Sequence, residues 1–205
     1  MVFLPEALDF ITRSELYPSI VKSVKDSKFL KGFRESAREF GCWISDSFSV
    51  KSNTSNIILN NVGQLICYNV RFAEPAIIHH NCGANILSYP SAFTIRTGGA
   101  HWETLLKARA IETQCYVIGA AQVGTHIEVP MMASWRHSMI VDPWGTILSR
   151  VPDDIPSIPP PSADEDEEWS TSFAIADIDL KSLENLRRSM PIFEQRQYDI
   201  YPKLD

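Results

Sequence analysis

The sequence is short of cysteine, of basic residues and of long apolar runs, and each shortage excludes a class of protein. The chain has 205 residues and four cysteines, spaced too widely for a CxxC pair or a zinc-binding pattern. Reduced thiols of this kind are the default in the cytosol. Lys and Arg number 19 against 25 Asp and Glu, a net charge of −6, which argues against nucleic acid or an anionic membrane as partner.

The sequence also lacks an apolar run long enough to cross a bilayer, so no membrane partner is expected. Its start, MVFLPEALDF, has no basic region and reaches Pro5 and Glu6 at once, unlike a signal peptide. We therefore expect a cytoplasmic protein, while a mitochondrial form of a longer chain stays open. No metal or other cofactor is expected, because the compact HHNC run at 79–82 stands alone.

What the sequence does contain is apolar strands alternating with helices, which predicts an α/β fold. Strands are expected at VFLPEA and CWISDSFSV, and two more in NIILNNVGQLICYNV around an Asn-Asn-Val-Gly turn. Further strands are predicted for NILSYP, for CYVIGAAQ as a strand buried on both faces, and for TSFAIADIDL. HSMIVDPWGTILSRV is predicted to be a hairpin that turns at 142–145.

Four helices are predicted between these strands. The second covers 74–81 with Gly83 as its cap, the third is AHWETLLKARAIETQ and the last is LKSLENLRR, whereas SAFTIRTGG reads as a loop. The first runs from a cap at Asp26 or Ser27 to Phe40, with Gly41 as its stop. Its buried face is marked by Phe29, Leu30, Phe33, Ala37 and Phe40.

Residues 152–169 are predicted to be an insertion within a single domain, 1–205. The segment PDDIPSIPPPSADEDEEW combines closely spaced prolines with an acidic run, which is typical of an exposed surface loop. Strand-like sequence resumes after it, so we place it inside one domain rather than between two.

Cys67 and Glu6 could carry chemistry, and each has a plain structural alternative. A lone cysteine at the end of an apolar strand is usually a buried core residue. At a sharp turn from strand to helix, backbone N–H groups can instead activate a thiol and bind an oxyanion. Most glutamates at strand ends are simply solvated. Open α/β sheets place their sites there, however, and an apolar setting would make Glu6 a general base.

The remaining titratable residues are assigned structural roles. Arg109 and Glu112 lie three apart on one predicted helix and are expected to form an ion pair. Histidine could pair with a cysteine nucleophile, but a structural role is favoured for all five, which are His79, His80, His101, His126 and His137.

Several motifs, in this order, resemble the nitrilase superfamily of carbon–nitrogen hydrolases. The resemblance is carried by FLPEA, CYNVRFAEP and YPSAFTIRTGGAHWETLLKARAIETQCYVIGAAQ, and HSMIVDPWG and PIFEQRQYDIY extend it. Within the superfamily the chain is similar to the Nit branch and its deaminated-glutathione amidases. The resemblance implies a four-layer α-β-β-α sandwich, a homo-oligomer that pairs through a helical face, and hydrolysis of small amides.

The superfamily uses a Glu–Lys–Cys triad, and the resemblance assigns two of its members. Cys67 would be the nucleophile that forms a thioester, Glu6 the general base, and the Tyr68 backbone N–H part of the oxyanion hole. The loop after YPSAF and the start of the HWE helix would border the substrate, with plain packing as the alternative. The substrate-binding candidates are Ser91, Phe93, Thr97 and Trp102.

The lysine of the triad has no counterpart in this sequence. In the family it precedes the cysteine strand, but here NIILNNVG runs directly into QLICYNVRF. The resemblance therefore implies a missing central strand segment, and the first strand–helix unit is expected to be missing too. Asn69 replaces the family's usual Asp, which removes a charge beside the site. Arg136 replaces its usual Gly, which implies a strained turn or an altered pocket rim. The chain is either a Nit-type amidase or a non-catalytic Nit-like protein that acts by assembly with a partner.

Overall fold

In a computed structural model of the protein, the described residues form two β-sheets with helices packed around them. The predicted insertion at 152–169, His126 and the predicted cap at Asp26 or Ser27 lie outside these residues. The described residues are 1–6, 28–42, 44–47, 57–59, 61–123, 133–151 and 172–202.

Eight strands are present in the described part of the chain. Most coincide with the apolar segments that the sequence marks as strands, because alternating or continuous apolar residues can be buried against a neighbouring layer. In chain order the strands are β1 (Val2–Glu6), β2 (Ile44–Ser47), β3 (Ile57–Leu59), β4 (Val62–Gln64), β5 (Ile86–Ser91), β6 (Tyr116–Ala121), β7 (Met139–Val141) and β8 (Ile147–Arg150).

The larger sheet has the order β3-β4-β5-β6-β7-β8. Strands β4, β5 and β6 are parallel, whereas β3, β7 and β8 join antiparallel at the two sides. All six residues of β6 are buried, which confirms the strand predicted for CYVIGAAQ. The smaller sheet pairs β1 with β2 in parallel, and β1 contacts β5 and β6. This arrangement confirms the α/β class.

Helices cover one face of the larger sheet and form the core with it. Gly119 of β6 lies beneath Trp102 and Leu106, where an added Cβ would come within 2.5 Å of the leucine side chain, so only glycine fits. The described part of the chain contains five α-helices, four of which were expected from the sequence. They are α1 (Lys28–Glu39), α2 (Ala73–Asn81), α3 (Ile95–Thr97), α4 (Glu103–Thr113) and α5 (Leu180–Ser189), of which α3 is the unexpected one.

The turn between β3 and β4 is tighter than the sequence suggests. An Asn-Asn-Val-Gly turn was predicted, but Val62 and Gly63 already lie in β4, and Leu59 pairs with Val62. Asn61 makes the turn with a φ of 64°, a left-handed conformation that asparagine tolerates well. Gly63 is needed for close packing instead, because a Cβ there would be 2.9 Å from the ring of His79.

The prediction of a loop for SAFTIRTGG is wrong. The chain becomes helical at Ile95, and the helix continues through Gly98–Trp102 into α4. The Thr94 hydroxyl accepts a hydrogen bond from the Thr97 N–H, 3.4 Å away, and so caps the helix. Gly98 lies against Trp135, where an added Cβ would come within 2.0 Å of the indole, so this glycine serves packing rather than a turn.

Two other expectations fail where apolar sequence is left exposed. TSFAIADIDL was predicted as a strand, but the chain from 172 to 179 forms no ladder. Phe173 and Ile175 are 74% and 72% exposed, so alternation here does not mark a buried face. Phe40 was expected on the buried side of α1 and is also 72% exposed, because the helix ends at Glu39 and Gly41 turns the chain away with a φ of 58°.

Helix α5 is fixed to the sheet by Arg187. Its guanidinium donates to the Gln114 carbonyl at 2.9 Å and 3.2 Å, to the Ala84 carbonyl at 3.1 Å and to Asn85 Oδ1 at 2.8 Å. These acceptors immediately precede β5 and β6, so the arginine satisfies backbone groups at the amino-terminal edge of the parallel strands.

We expect Arg187→Met to lower the free energy of unfolding by about 2–4 kcal/mol, because buried carbonyls lose a charged donor. Urea unfolding followed by circular dichroism measures the change. The adjacent Arg188 is the matched control, since it is exposed and makes only a 3.4 Å contact with Asn185. Arg188→Met should change stability by less than about 0.5 kcal/mol, and equal losses in the two variants would contradict the assigned role.

A half-buried titratable group at this edge of the sheet is His80. Its ring stacks on Phe193 with centroids 3.5 Å apart, and Nδ1 lies 3.9 Å from Cys115 Sγ. Burial, followed by the positive charge of Arg187, lowers the pKa of His80 to about 4. The folded chain therefore binds this proton only well below the pH at which an ordinary histidine does.

The unfolding free energy should fall as pH decreases from about 6.5 to about 4, because the unfolded histidine, with its ordinary pKa of 6.5, takes up the proton first. Above pH 6.5 both states are neutral and this contribution is constant. The expected loss is about 1–2 kcal/mol after allowing for partial exposure. Urea unfolding at pH 7.5 and pH 4.5 checks it. His80→Phe keeps the stacking and should flatten the pH dependence, and an unchanged slope would contradict the assignment.

Candidate active site

Cys67 lies at a strained turn between a strand and a helix. Strand β4 ends at Gln64 rather than at the cysteine, so the predicted QLIC strand is too long by three residues. A 3-10 helix, Cys67–Arg71, begins at the cysteine, and α2 follows it. Cys67 has a φ of 39°, a region that favours glycine, and such strain is concentrated at functional sites.

Asn69 stabilises this turn through two hydrogen bonds with Ile66. The Ile66 N–H donates to Asn69 Oδ1 at 3.0 Å, and the Asn69 N–H donates to the Ile66 carbonyl at 2.8 Å. The reciprocal pair spans the cysteine and resembles a capping box. The asparagine, found where the family usually has aspartate, therefore supplies the acceptor without a negative charge.

The surroundings of the Cys67 thiol are partly apolar. Cys67 is partly buried and packs against the core cluster that includes Phe93 and Trp102. In the described part of the chain, no group accepts the Tyr68 backbone N–H, which is where an oxyanion-hole donor was predicted. Leu65 is tied to β5 by its N–H, 2.9 Å from the Ser88 carbonyl, so the cysteine lies at the carboxyl edge of β4 and β5.

The structure describes only the backbone of Glu6. This residue ends β1 and pairs with Ser47 of β2. Because β1 packs across β5 and β6, Glu6 belongs to the layer next to the sheet that bears Cys67. The position of its carboxylate lies outside the described residues, and the pairing of acid and thiol stays a prediction.

The four substrate-binding candidates lie near the carboxyl end of β5, and their observed contacts are mostly packing contacts. The Ser91 hydroxyl is buried and donates to the Tyr89 carbonyl at 3.1 Å. Phe93 and Trp102 pack with ring centroids 4.9 Å apart, and Trp102 donates to the His137 carbonyl at 2.9 Å. Thr97 interacts with the cap of its own helix. Their contact with substrate stays a prediction.

The segment from Ser134 to Ser138 borders the loop after β5 and contains two left-handed residues. Arg136 and His137 have φ values of 69° and 68°, which confirms the strained turn expected where the family has glycine. Trp135 anchors the segment, because its N–H donates to the Phe93 carbonyl at 2.7 Å and its ring stacks on His137 at 4.4 Å.

Sequence reasoning missed Arg71 as a component of this site. Its guanidinium carbon lies 5.0 Å from the ring centroid of Tyr68 and 5.2 Å from that of Phe93. Its Nη1 is 3.1 Å from His101 Nδ1. The signal was its spacing of three from Tyr68, since residues three apart align in a 3-10 helix, but the strand predicted to continue to Val70 obscured it.

Two titratable residues that were assigned structural roles from the sequence, Arg109 and His79, are buried. Arg109 forms the predicted ion pair with Glu112 and also donates to the Val70 carbonyl at 2.9 Å. His79 is 1% exposed, and its burial lowers its pKa. No group of three or more metal-ligating side chains occurs among the described residues, and none of their helices is long and apolar enough to span a bilayer.

Comparison with known proteins extends these observations. The family model described as carbon-nitrogen hydrolase matches residues 46–188. The Drosophila melanogaster nitrilase and fragile histidine triad fusion protein NitFhit is 34% identical over 251 residues, covering 98% of this chain and 51% of that one. The human deaminated glutathione amidase is 33% identical over 260 residues, covering 100% and 74%.

A solved structure gives the same result. The crystal structure of Caenorhabditis elegans NitFhit superposes with a TM-score of 0.75 at 32% identity, covering 98% of this chain and 57% of that chain. The fold class is therefore that of the α/β nitrilase superfamily. Within it, this chain belongs to the carbon-nitrogen hydrolase family, and it is similar to the Nit branch. It spans about half the length of the NitFhit proteins.

Cys67 should be the cysteine most rapidly alkylated by iodoacetamide in the folded protein, because it lies at a strained turn where a helix begins, a setting that favours reaction of a thiol. Mass spectrometry of peptides after limited labelling measures the rate for each cysteine. The exposed Cys82 and the partly buried Cys42 serve as internal controls, and the buried Cys115 should be the slowest. Faster labelling of any of these three would contradict the assignment.

Proposed function

We propose that this protein is a Nit-type carbon–nitrogen hydrolase whose nucleophile position is Cys67 and whose own amide turnover is low. The observation that supports the first part is the left-handed turn at Cys67, followed by the Tyr68 N–H, which no group accepts in the described part of the chain. The proposed substrates are small amides such as deaminated glutathione, the compound that appears in the names of the amidase relatives.

The proposed reaction proceeds through a thioester. Glu6 removes the thiol proton, and Cys67 Sγ attacks the amide carbonyl carbon, while the Tyr68 N–H donates to the developing oxyanion. Collapse of the tetrahedral species breaks the C–N bond, and the amine leaves with the proton held by Glu6. Glu6 then activates a water that hydrolyses the thioester, which releases the acid and restores the thiol.

The low turnover is expected because this chain has no counterpart of the lysine that the family places before the cysteine strand. An ordinary cysteine is only a few per cent thiolate at pH 7, and loss of one oxyanion donor costs about 10²–10³ in rate. Lys107 pairs with Glu103 at 2.7 Å on its own helix and does not substitute. The lysines that precede the hairpin are not placed by sequence to substitute either; they are Lys22, Lys25, Lys28, Lys31 and Lys51.

Alignment lengths support a missing segment. The amidases align over 260 positions, although this chain has only 205 residues. Some positions of those relatives therefore have no counterpart here. This favours a second candidate function, in which a non-catalytic Nit-like chain acts by assembly with a partner.

A homo-oligomer in the cytoplasm is also part of the proposal. Large apolar side chains are exposed on the outer surface of α4 and the β7–β8 hairpin, where pairing through a helical face would cover them. Ile111 is 50% exposed and Trp144 is 64% exposed, and Gly145 brings the hairpin against Ile111. A small amide is the proposed ligand, with no nucleic acid or membrane partner.

This chain should hydrolyse a small ω-amide such as succinamate no faster than its Cys67→Ala variant, because no lysine of the family's triad stabilises the thiolate or donates to the oxyanion. Ammonia release measured enzymatically gives the rate. Robust turnover that Cys67→Ala abolishes would show that another group replaces the lysine.

A gain-of-function variant sharpens this test. We expect activity to return when the corresponding segment of the human amidase, with its lysine, is inserted between Gly63 and Gln64. The matched control carries the same insert with that lysine changed to alanine and should stay inactive. Equal activity in the two inserted chains would contradict the role given to the lysine.

A further inference from the structure

We propose that residues 172–178 are a self-association surface, at which two copies of this chain pair their segments as antiparallel strands. The segment leads into α5 and forms no ladder within its own chain. This contact goes beyond the proposed function, because it does not involve Cys67. It is also separate from the surface of α4 to which the proposed homo-oligomer was assigned.

The side chains of this segment alternate in exposure as those of a strand do. Positions 174, 176 and 178 are half-buried, whereas the exposed side chains between them are Phe173, Ile175 and Asp177. Phe173 is 74% exposed, the largest value for a bulky apolar side chain in the described part of the chain, and Ile175 is 72% exposed. The apolar residues on the outer face therefore have nothing to pack against within one copy.

Two side-chain hydroxyls hold one edge of the segment against the protein. The Ile175 N–H donates to the Ser149 hydroxyl at 3.2 Å. The Asp179 N–H donates to the Tyr116 hydroxyl at 3.3 Å, and this hydroxyl lies 3.3 Å from the Asp179 carbonyl, to which it donates. Because backbone polar groups of successive residues point to opposite edges of a strand, the odd-numbered positions face the protein and the even-numbered positions face away.

The opposite edge of the segment is unpaired. No group among the described residues bonds to the backbone N–H or C=O of Ala174 or Ala176. A strand edge with free polar groups and apolar side chains is a template for another strand unless charges, proline or a covering element block it. The nearest charged side chain on the segment is Asp177, which lies beyond the apolar pair, so this edge is open to a second strand.

The segment is complementary to itself when two copies pair about Ala174. In this register Ala174 opposes Ala174 of the second copy, and the two residues exchange hydrogen bonds through the groups that face away from each protein. Phe173 then opposes Ile175 of the second copy, and the symmetry repeats this pair. Opposed aromatic and β-branched side chains stabilise an antiparallel pair. The contact is isologous, as in most dimers.

The neighbouring registers are unfavourable, which commits the surface to this one. Pairing about Ile175 would use the edge that already bonds to Ser149. Pairing about Ala176 would place Ile175 opposite Asp177. In the Ala174 register, the two Asp177 carboxylates are six positions apart along the ladder, about 20 Å, so they do not repel each other strongly.

A single strand pair is a small interface. It is smaller than the roughly 1,200 Å² at which stable complexes begin, so we expect a reversible dimer that forms at micromolar concentrations and above. The extended segment is already held by Ser149 and Tyr116, which lowers the entropy cost of pairing.

An engineered disulfide tests the register. Ala174→Cys should cross-link two copies under mild oxidation, because opposed Cα atoms of a hydrogen-bonded pair are about 5.5 Å apart, within the range of a disulfide. Ala176→Cys is the matched control, since it is equally half-buried but would lie about 13 Å from its counterpart. Both variants also carry Cys82→Ser, which removes an exposed native thiol.

Non-reducing electrophoresis measures the yield of cross-linked dimer, and mass spectrometry of the linked peptides identifies the bond. We expect at least about tenfold more dimer from Ala174→Cys than from Ala176→Cys. Equal yields from the two variants, or no linkage at position 174, would overturn the proposed pairing.

Sedimentation equilibrium tests the surface without a new cysteine. Ile175→Asp should raise the dissociation constant at least about tenfold, because both Phe–Ile pairs are lost and a carboxylate opposes each phenylalanine. Ile200→Asp is the matched control, since Ile200 has the same 72% exposure elsewhere on the surface. It should leave the constant unchanged, and circular dichroism checks that both variants fold.

The measured masses also separate this surface from the oligomer assigned to α4. Where both contacts form, Ile175→Asp should reduce the assembly from four copies to two, and where only this contact forms, from two copies to one. Equal association of Ile175→Asp and the unmodified protein, or a monomer at all concentrations up to about 100 μM, would overturn the proposal. The assays of amide hydrolysis do not affect this result, so the two proposals can fail independently.

Discussion

The left-handed turn at Cys67 depends on the two hydrogen bonds that Ile66 and Asn69 exchange across it. Without them, a non-glycine residue with a φ of 39° would relax toward an extended or right-handed conformation. The turn sets the direction of the 3-10 helix, and this helix sets where Tyr68 presents its N–H and where Arg71 places its guanidinium. The chemistry of this edge therefore depends on one small amide side chain.

Three arginines near the sheet differ in how their donor groups are satisfied. Arg187 gives its donors to carbonyls that precede β5 and β6, and Arg109 to Glu112 and the Val70 carbonyl. Arg71 Nη1 lies 3.1 Å from His101 Nδ1, and its buried Nε has no hydrogen-bond partner in the described part of the chain. Sequence alone distinguishes these residues only in part, because Glu112 is a near neighbour of Arg109, whereas the Val70 carbonyl and the acceptors of Arg187 lie far along the chain.

Local signals in the sequence predicted most of the strands and helices, whereas the assignment of Cys67 as nucleophile came from the family resemblance and stays a prediction. The apolar run that becomes β6, and Asp142, whose carboxylate accepts from the N–H groups of Trp144 and Thr146, depend on neighbouring residues only. The failures involve contacts between distant segments. Gly98 reads as a loop residue until Trp135 lies on it, and the cation–π contacts of Arg71 need a ring that follows another strand.

The contacts of Arg187 also set an order of events during synthesis. This residue bonds to Gln114, Asn85 and Ala84, which lie 73, 102 and 103 positions earlier in the chain. Contacts of such long sequence separation form slowly, because a large loop must close before they contribute. The amino-terminal edge of β5 and β6 therefore stays uncapped until the ribosome has released most of the chain. During that interval its carbonyls are open to water and to chaperones.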